Sequence, residues 1–399
     1  MKTPVYLDYA ASWPVHPAVV EAMADCLGPD GPHANPSSSH AEGQRAARVI
    51  EHARESVAAL VGADAHAIVL TSGATESDNL AILGAARAGR ERGRHLVTSR
   101  VEHRAVVDAF RQLEREGFEV SWLRPSADGQ VAPEQVEEAL RPDTLLVSVM
   151  HGNNETGTLN DVAAIGAVCR GRGVLYHVDA AQGVGKVPVD VEAWNADLVA
   201  FTAHKLGGPK GIGALYVRQQ PRPALQPLQF GGGQERGLRA GTLATHQAAG
   251  FGAACSLALA DLEQEERRVR GLRERLWTRL AAAGDVWRNG SATASLPGIL
   301  NIGFAGIDGE SLLLALDGQV LASSGSACSS ASAEPSHVLR SLGLSDLACQ
   351  ASLRLSLGRW TGGMPRELKF YDRLPGGGLW IPRGFMRQLL LLCRKDGIP

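Results

Sequence analysis

Short apolar runs alternate with amphipathic stretches through the first half of the chain. Each run holds four or five mainly aliphatic residues, and the runs occupy 67–70, 145–149, 174–178 and 198–201. Continuous apolar runs of this length predict strands that are buried on both faces. The stretches 105–116 and 133–140 have helical periodicity. Strands that alternate with helices predict an α/β fold whose mostly parallel sheet carries helices on both sides.

A second, smaller unit is expected after a long charged helix. The helix is expected from 257 to 283, and two strand-like runs follow it, at 299–304 and 352–357. The tail contains a glycine triplet and several prolines, which break helices. We therefore predict a large domain, a small α+β domain and an atypical tail, at 16–260, at 1–15 with 261–361, and at 362–399.

The composition limits the classes of molecule that this protein is expected to bind. The 399-residue chain is 44% hydrophobic and has a formal net charge of −2, which gives no general attraction to nucleic acid or anionic membranes. No segment approaches the roughly 20 apolar residues of a membrane span, and no signal-peptide pattern opens the chain. We expect a cytoplasmic protein that binds a small substrate or a protein partner, without direct contact to nucleic acid or membrane. The six cysteines form no CxxC pair, so reduced thiols and no metal are expected.

The first candidate site is a polar turn after the run at 67–70. Residues 72–79 read Ser-Gly-Ala-Thr-Glu-Ser-Asp-Asn, and Ala74 and Thr75 stand where a helix is expected to begin. Small residues at a strand-to-helix turn let backbone N–H groups and the positive end of the helix approach an anion. Thr75 can add a hydroxyl donor. The alternative is an ordinary helix N-cap.

Two later strands end in complementary groups. Asp179 and Gln182 follow one strand, and Thr202, His204 and Lys205 follow the next. Ligands of parallel sheets bind beyond the carboxyl ends of the strands, so these side chains are expected to form one site. A lysine for a Schiff base, a carboxylate for a pyridine nitrogen and donors for a phosphate are the groups that pyridoxal-phosphate (PLP) chemistry needs. A simple salt bridge between Asp179 and Lys205 is the alternative.

Four further residues could complete this set. His103 could stack on the cofactor ring, Asn154 could bind a ring hydroxyl or a substrate carboxylate, and Arg354 could clamp that carboxylate. Their alternatives are a structural histidine, a turn and a structural ion pair. Cys328 lies among Ser, Ala and Gly residues, which suit a mobile, exposed loop with a reactive thiol. The other cysteines lie in apolar or helix-like contexts and are expected to pack: Cys26, Cys169, Cys255, Cys349 and Cys393.

Together these segments resemble the group I cysteine desulfurases of the IscS/NifS type, which are class V aminotransferase-like PLP enzymes. The resemblance covers about nine-tenths of the chain, and its motifs lie at 6–11, 35–38, 71–79, 150–155, 177–182, 204–211, 236–242, around Cys328 and at 356–359. It implies the fold of PLP-dependent transferases of fold type I, with a mostly parallel seven-stranded sheet in the large domain. The long loop around Cys328 is similar to the IscS-like branch.

The resemblance implies how the cofactor would be held. Lys205 would carry PLP and later shuttle protons, Asp179 would pair with the pyridinium, Gln182 would bind the ring oxygen, and His103 would stack on the ring. The phosphate-side and further cofactor-binding residues would be Ala74, Thr75, Asn154, Thr202, His204 and, from a second subunit of a homodimer, Thr242.

It also implies the reaction. Asn154 and Arg354 would bind L-cysteine, and Cys328 would attack its sulfur, leaving alanine and a persulfide. The persulfide would pass to an iron–sulfur scaffold or to a sulfur-relay protein for tRNA thiolation. Ser12 and Trp13 depart from the pattern, because the family usually has two threonines there, and the indole is expected to affect substrate access.

Two other functions fit parts of this pattern. A selenocysteine lyase or an aminotransferase would share the cofactor site, but transamination has no use for the Cys328 thiol. A non-catalytic sulfur-pathway component would have no need for Lys205, Asp179, His103 and Cys328 together. A cysteine desulfurase is therefore the function expected from the sequence.

Overall fold

A computed structural model describes residues 4–282, 284–316, 319–324 and 334–362. Its strands are β1 (Val5–Tyr6), β2 (Ile68–Thr71), β3 (His95–Ser99), β4 (Glu119–Leu123), β5 (Thr144–Ser148), β6 (Leu175–Asp179), β7 (Leu198–Thr202), β8 (Gly213–Val217), β9 (Val286–Asn289), β10 (Ile299–Phe304), β11 (Val320–Leu321), β12 (Ser323–Ser324) and β13 (Ser352–Ser356). Its α-helices are α1 (Pro17–Ala24), α2 (Ala41–Val61), α3 (Ala74–Gly89), α4 (Arg104–Arg115), α5 (Pro133–Ala139), α6 (Val162–Gly171), α7 (Thr245–Ala282), α8 (Gly309–Leu316), α9 (His337–Ser341) and α10 (Asp346–Gln350). Cys328 and the tail beyond Gly362 lie outside the described residues.

The large sheet has seven strands in the order β2-β8-β7-β6-β5-β3-β4. All neighbouring pairs are parallel except the two that involve β8, which runs antiparallel to both β2 and β7. The carboxyl ends of the six parallel strands therefore lie at one edge of the sheet. This confirms the expected α/β fold with a mostly parallel, seven-stranded sheet.

Helices cover both faces of this sheet. Successive residues of a strand face opposite sides. Val97 accordingly belongs to the apolar cluster that includes residues of α2, α6 and α7, whereas Leu96 belongs to the cluster with α3 and α4. A strand that is buried on both faces needs apolar residues at every position, which is why the predicted runs coincide with β2, β5, β6 and β7 to within two residues.

A second sheet lies in the C-terminal part of the described chain. Its order is β12-β13-β10-β9, and each neighbouring pair is antiparallel. An apolar cluster from β10, β13 and α8 forms its core. The N-terminal strand β1 pairs in parallel with β11, and Asp8 forms a bridge to Ser356. The N-terminus is thus attached to this C-terminal sheet.

The helix α7 is longer than predicted. The charged pattern predicted a helix that begins at 257, but α7 begins at Thr245 and runs for 38 residues. Its first three turns are rich in Ala and Gly and pack against α2, so they lack the charges that marked the rest. The predicted domain boundary at 260 therefore falls inside α7. The division of the chain into two domains and a tail stays a prediction. Within the described ranges, no helix is both long and apolar enough to cross a membrane.

Candidate cofactor site at the carboxyl edge of the sheet

The turn between β2 and α3 forms the anion-binding part of the site. Gly73 is the N-cap residue of α3 and provides no side-chain cap, so the first N–H groups of the helix are not capped by it. Gly73 has φ of 153°, which favours glycine, and Thr71 Oγ1 shares a 2.7 Å hydrogen bond with Ser77 Oγ behind it. An uncapped helix N-terminus at a sheet edge is a favourable place for a phosphate.

Close backbone packing brings Thr202 to the same turn. Gly213 begins β8 between β2 and β7, and a Cβ at Gly213 would lie 2.7 Å from Gly73 Cα. Glycine is therefore required there. On the other side, the position of a Cβ on Gly73 lies 3.8 Å from Thr202 Oγ1. The Thr202 hydroxyl and the start of α3 thus lie together, as the sequence predicted.

Lys205, Asp179 and His103 are brought together by three strand ends. Burial lowers the pKa of His103 first, the positive charge of Lys205 lowers it further, and Asp179 opposes both. These effects require short separations, because charge interactions weaken with distance. His103 is also the N-cap residue of α4, and its Nδ1 accepts a hydrogen bond from the Ala105 N–H group at 3.2 Å. That bond makes Nδ1 an acceptor, so a neutral His103 carries its proton on Nε2.

Buried acidic groups lie behind Asp179. Burial raises the pKa of Asp78 well above its ordinary value, and Asp179 and Glu102 raise it further. Asp78 Oδ1 lies 3.4 Å from His177 Nε2, and Ser148 Oγ lies 2.8 Å from His177 Nδ1. Burial lowers the pKa of His177 to about 4. Sequence reasoning missed this group, although His177 lies two residues before Asp179 in β6 and must therefore face the same side of the sheet.

Gln182 contacts the N-terminal segment and a second lysine. Its Nε2 donates to Ala10 O at 2.8 Å, and its Oε1 accepts from Lys186 Nζ at 2.8 Å. The indole of Trp13 lies against the same lysine, with 5.9 Å between Nζ and the ring centroid. Sequence reasoning also missed Lys186, although its spacing of four from Gln182 could have suggested the contact.

The N-terminal segment also contacts His204. Ser12 Oγ lies 3.2 Å from His204 Nδ1, and the Trp13 N–H group donates to His204 O at 2.9 Å. Burial lowers the pKa of His204 to about 4, and the charges of Lys205 and Lys186 add to this effect. His204 is therefore neutral at physiological pH. The two residues that depart from the family pattern are thus in contact with a residue that was predicted to hold the phosphate.

Arg354 is the residue that was predicted to bind the substrate carboxylate. It is buried on β13, its Nη1 donates to Asn154 O at 2.9 Å, and its Nη2 donates to Asp8 Oδ1 and Ser323 Oγ, both at 2.8 Å. The Nε of Arg354 and the Oδ1 of Asn154 are buried without a hydrogen-bond partner in the part of the chain that the structure describes. The unpaired Nε–H of Arg354 fits its predicted role in binding a carboxylate. The unpaired Oδ1 of Asn154 is an acceptor and fits a ring hydroxyl instead. The bond from Arg354 to Asp8 is the structural ion pair that was considered as the alternative.

The two neighbours of Asn154 have structural roles. Asn153 Oδ1 accepts hydrogen bonds from the N–H groups of Glu155 and Thr156, which is the turn-forming role considered for this segment. Glu155 Oε2 accepts from Ser336 Oγ at 2.5 Å, and burial raises the pKa of Glu155 to about 7. Asn153 and Glu155 therefore fix the loop from which Asn154 projects.

The remaining candidate residues, Thr75, Ala74 and Thr242, have fewer described contacts with the site. Thr75 lies in the first turn of α3 and is exposed, next to the half-buried Ala74. Thr242 is exposed and follows Arg239, whose Nε donates to Glu76 Oε1 at 2.9 Å. No described contact joins Thr242 to the turn at Gly73, and its predicted role across a subunit interface stays a prediction.

Comparison with known proteins identifies the family. The family model described as aminotransferase class-V matches residues 5–362. The chain belongs to this family. A class-V relative, the cysteine desulfurase IscS of Azotobacter vinelandii, is 54% identical over 362 residues, which cover 90% of this chain and 89% of that protein. The IscS of Pseudomonas aeruginosa strain UCBPP-PA14 is 53% identical over the same shares of both proteins.

Two solved structures agree with this result. A NifS-like protein has a TM-score of 0.83 and 31% identity, with 98% of both chains covered. The structure titled SspA in complex with cysteine has a TM-score of 0.79 and 38% identity, and covers 89% of this chain and 99% of that one. The resemblance to IscS/NifS-type enzymes that was inferred from the sequence is therefore confirmed.

Class-V enzymes of the IscS/NifS type use pyridoxal 5′-phosphate, so PLP is the cofactor of this chain. The described residues fit it. The glycine turn leaves an uncapped helix N-terminus beside the Thr202 hydroxyl. A lysine and a carboxylate lie within electrostatic range of one histidine at the same edge. Unpaired polar atoms of Asn154 and Arg354 are available for a ligand.

Proposed function

We propose that this protein is a cysteine desulfurase that uses Cys328 as the sulfur acceptor. The relatives named cysteine desulfurase match nine-tenths of the chain. The observation that carries the proposal is the arrangement at the sheet edge, where His103, Asp179 and Lys205 lie at the ends of β3, β6 and β7. These are the groups that the reaction needs beside the thiol.

The strand ends provide the cofactor's binding groups. When bound, PLP supplies an electron sink for bonds at the substrate Cα. Lys205 would hold it, and the Asp179 carboxylate would pair with the ring nitrogen. Thr202 and the N-terminus of α3 bind the phosphate through a hydroxyl and backbone N–H groups. His103 covers one face of the ring.

Arg354 and Asn154 orient the substrate. The guanidinium of Arg354 offers its Nε, unpaired among the described residues, to the cysteine carboxylate, and its Nη1 donates to the backbone oxygen of Asn154. A charge-assisted bond of this kind fixes one end of the amino acid. The Lys205 amine would move protons at the substrate Cα, because Lys205 lies at the same edge of the sheet as the other cofactor-binding groups.

The sulfur step uses the thiol of Cys328. Its thiolate attacks the substrate sulfur, the S–S bond forms as the C–S bond breaks, and the electron pair of the broken bond stays with the substrate carbon. That carbon takes up a proton, so the products are alanine and a persulfide on Cys328. An iron–sulfur scaffold or a sulfur-relay protein would then take the sulfur, and a homodimer in the cytoplasm would be the working form.

The test is sulfide and alanine release from cysteine in the presence of a thiol reductant. Purified protein is expected to be yellow and to release both products in equal amounts. Cys328→Ala is expected to keep the colour and lose sulfide release, whereas Lys205→Ala is expected to lose the visible absorption of the bound cofactor. A Cys328→Ala protein as active as the parent would contradict the proposed sulfur acceptor.

Cys349→Ala is the matched control for the thiol. Cys349 is buried on α10, and burial raises its thiol pKa to about 11, so it stays protonated at neutral pH. A protonated thiol is a poor nucleophile. Cys349→Ala is therefore expected to release sulfide at the parental rate, and a loss equal to that of Cys328→Ala would show that the effect is not specific.

A further inference from the structure

Lys186 is an amine beside the cofactor site to which the proposed reaction gives no task. The structure describes three lysines, and Lys186 lies with Lys205 near the site while Lys210 is exposed. The pKa of Lys186 is held well below its ordinary value by burial, and the charges of Lys205 and Arg354 add to this effect. Burying a lysine amine at this position costs free energy, so we expect the contacts of Lys186 to have a function that offsets the cost.

The contacts of Gln182 suggest that role. A carbonyl oxygen only accepts hydrogen bonds, so the 2.8 Å contact with Ala10 O must come from the amide nitrogen of Gln182. The amide oxygen then faces Lys186 Nζ, which donates at 2.8 Å. A flipped amide would place two acceptors together at Ala10 and remove the acceptor at Lys186. The orientation of Gln182 is therefore fixed from both ends.

The backbone holds the two side chains in this position. The segment from Ala180 to Lys186 is a series of tight turns, in which the Gly183 N–H group donates to Ala180 O and the Lys186 N–H group donates to Gly183 O, both at 3.0 Å. The Trp13 ring lies 5.9 Å from Lys186 Nζ on another side, at a distance where an aromatic face attracts a cation. Lys186 is thus held between Gln182 and Trp13.

We propose that Lys186 is a positioning residue, which holds the Gln182 amide with one N–H group bonded to Ala10 and the other directed to the ring oxygen of the cofactor. This rests on the proposed function, in which Gln182 binds that oxygen. Lys186 touches neither the cofactor nor the substrate in this role. It acts through Gln182. Negative charge on the ring oxygen of the bound cofactor would favour the charged form of Lys186, against the burial that lowers its pKa, and the charge would in turn stabilise that oxygen.

Loss of Lys186 should change the proton affinity of the Lys205 nitrogen in the cofactor-loaded protein. The Gln182 N–H group and the Lys186 charge both stabilise negative charge on the ring oxygen, and so weaken the hold of the Lys205 nitrogen on its proton. A nearby positive charge disfavours a second one. Without them, the proton on Lys205 Nζ is bound more tightly, and the visible absorbance of the bound cofactor changes at a higher pH.

The test compares three substitutions in the cofactor-loaded protein. The first readout is the pH midpoint of the visible absorbance, and the second is the dissociation constant of PLP from equilibrium dialysis. Lys186→Met removes both the bond and the charge, and is expected to raise the midpoint by about one unit, a tenfold change in proton affinity, and to weaken PLP binding severalfold. Lys186→Gln keeps a donor without charge, so it should raise the midpoint less and keep PLP affinity. Lys186→Arg should resemble the parent.

Arg275→Met is the control for removing an exposed positive charge, and should leave both readouts unchanged. A Lys186→Met protein with the parental midpoint and PLP affinity would overturn the proposal. If Lys186→Met does not fold, identical absorbance curves for Lys186→Gln and Lys186→Arg would overturn it instead. The absorbance titration needs no cysteine, so a parent that binds PLP but releases no sulfide contradicts the proposed function and leaves this comparison valid.

Discussion

Glu102 is a carboxyl group whose protonation is set by its surroundings. It is fully buried, and its Oε1 accepts hydrogen bonds from Ser99 Oγ at 2.5 Å and from the Met150 N–H group at 3.1 Å. Burial raises its pKa to about 8, and the charge of Asp179 adds to this effect. Glu102 is therefore mostly protonated at neutral pH and adds little negative charge behind Asp179.

This predicts a pH-dependent stability that Glu102→Gln removes. The folded chain keeps the Glu102 proton up to about pH 8, while the unfolded chain loses it near the ordinary glutamate pKa of 4.5. The stabilisation is therefore complete below that value and is lost as the pH rises to 8. Glutamine does not titrate, so the thermal midpoint of the parent should fall relative to that of Glu102→Gln by roughly 2–4 °C between about pH 5 and pH 8. The exposed Glu138→Gln is the control and should show a constant difference from the parent.

Asp8 is the ion-pair partner of Arg354, the residue that is proposed to bind the substrate. Its Oδ1 accepts from Arg354 Nη2 at 2.8 Å and from Ser323 Oγ at 3.0 Å. The Asp8 side chain is 22% exposed and that of Arg354 only 3%. A substrate carboxylate would be a second anion at the same guanidinium, so Asp8 both orients Arg354 and competes for its charge.

Two substitutions of Asp8 separate these effects. Asp8→Asn keeps the acceptor oxygen and removes the charge, so KM for cysteine should fall about threefold to fivefold, which corresponds to about 1 kcal/mol for a partly exposed charge pair. Asp8→Ala also removes the acceptor, so the guanidinium loses its orientation and KM should rise. Steady-state sulfide release measures both. Equal KM values in the parent and both variants would mean that Asp8 does not act on substrate binding.

At the scale of elements, the edge strand β2 is protected by side chains. Arg54 of α2 and Glu235 form two 2.8 Å hydrogen bonds, and their side chains are only 5% and 1% exposed. Glu235 Oε2 also accepts from the Leu70 N–H group at 2.7 Å, and Arg54 Nη1 donates to Ile68 O at 2.9 Å. These bonds satisfy the outer backbone groups of the edge strand. They also hold Glu235 and Arg236 at φ of 47° and 58°, which costs backbone strain.

Breaking this pair should be costly. Arg54→Met leaves the buried Glu235 carboxylate without its charge partner, although the Leu70 N–H group still donates to it and Arg236 Nη2 still donates to Ile68 O. The unpaired buried charge is expected to lower the free energy of unfolding by about 3–5 kcal/mol. Arg87→Met is the control, because the Arg87–Glu116 pair is more exposed and should contribute only about 0–1 kcal/mol. Denaturant unfolding of both variants measures the difference, and equal losses would contradict the role given to burial.

Regular elements could be predicted from the sequence, and contacts between them could not. The strands β2, β5, β6 and β7 are continuous apolar runs, and their carboxyl ends predicted Asp179 and Lys205 directly. The contact between Asp8 and Arg354 joins residues 346 positions apart, and nothing in either segment encodes the other. The role of Lys186 was overlooked because its partner Gln182 is oriented by Ala10 of the N-terminal segment, whose path over the sheet edge depends on the whole fold.

At the scale of the whole molecule, the proposed homodimer raises the question of which subunit provides Thr242 to each cofactor site. Thr242 is exposed, and the segment that leads to it also exposes Phe230 to 79%. Exposed aromatic side chains of this kind are enriched at interfaces. Arg239 of the same segment contacts Glu76 in the first turn of α3 of its own chain. The segment therefore lies close to a cofactor site and also faces outward, which is compatible with a threonine donated to the partner of a homodimer.

Co-expression of two inactive variants decides this. A chain with Lys205→Ala and a chain with Thr242→Ala would form mixed dimers, and if Thr242 serves the opposite site, one site of each mixed dimer has both groups intact. Random pairing makes half of the dimers mixed, so about one quarter of the parental sulfide release should return. If Thr242 serves its own chain, no site is repaired and no activity returns. Pairing Lys205→Ala with Asp179→Ala is the control, because both groups lie on one sheet and belong to the same site, so that mixture should stay inactive.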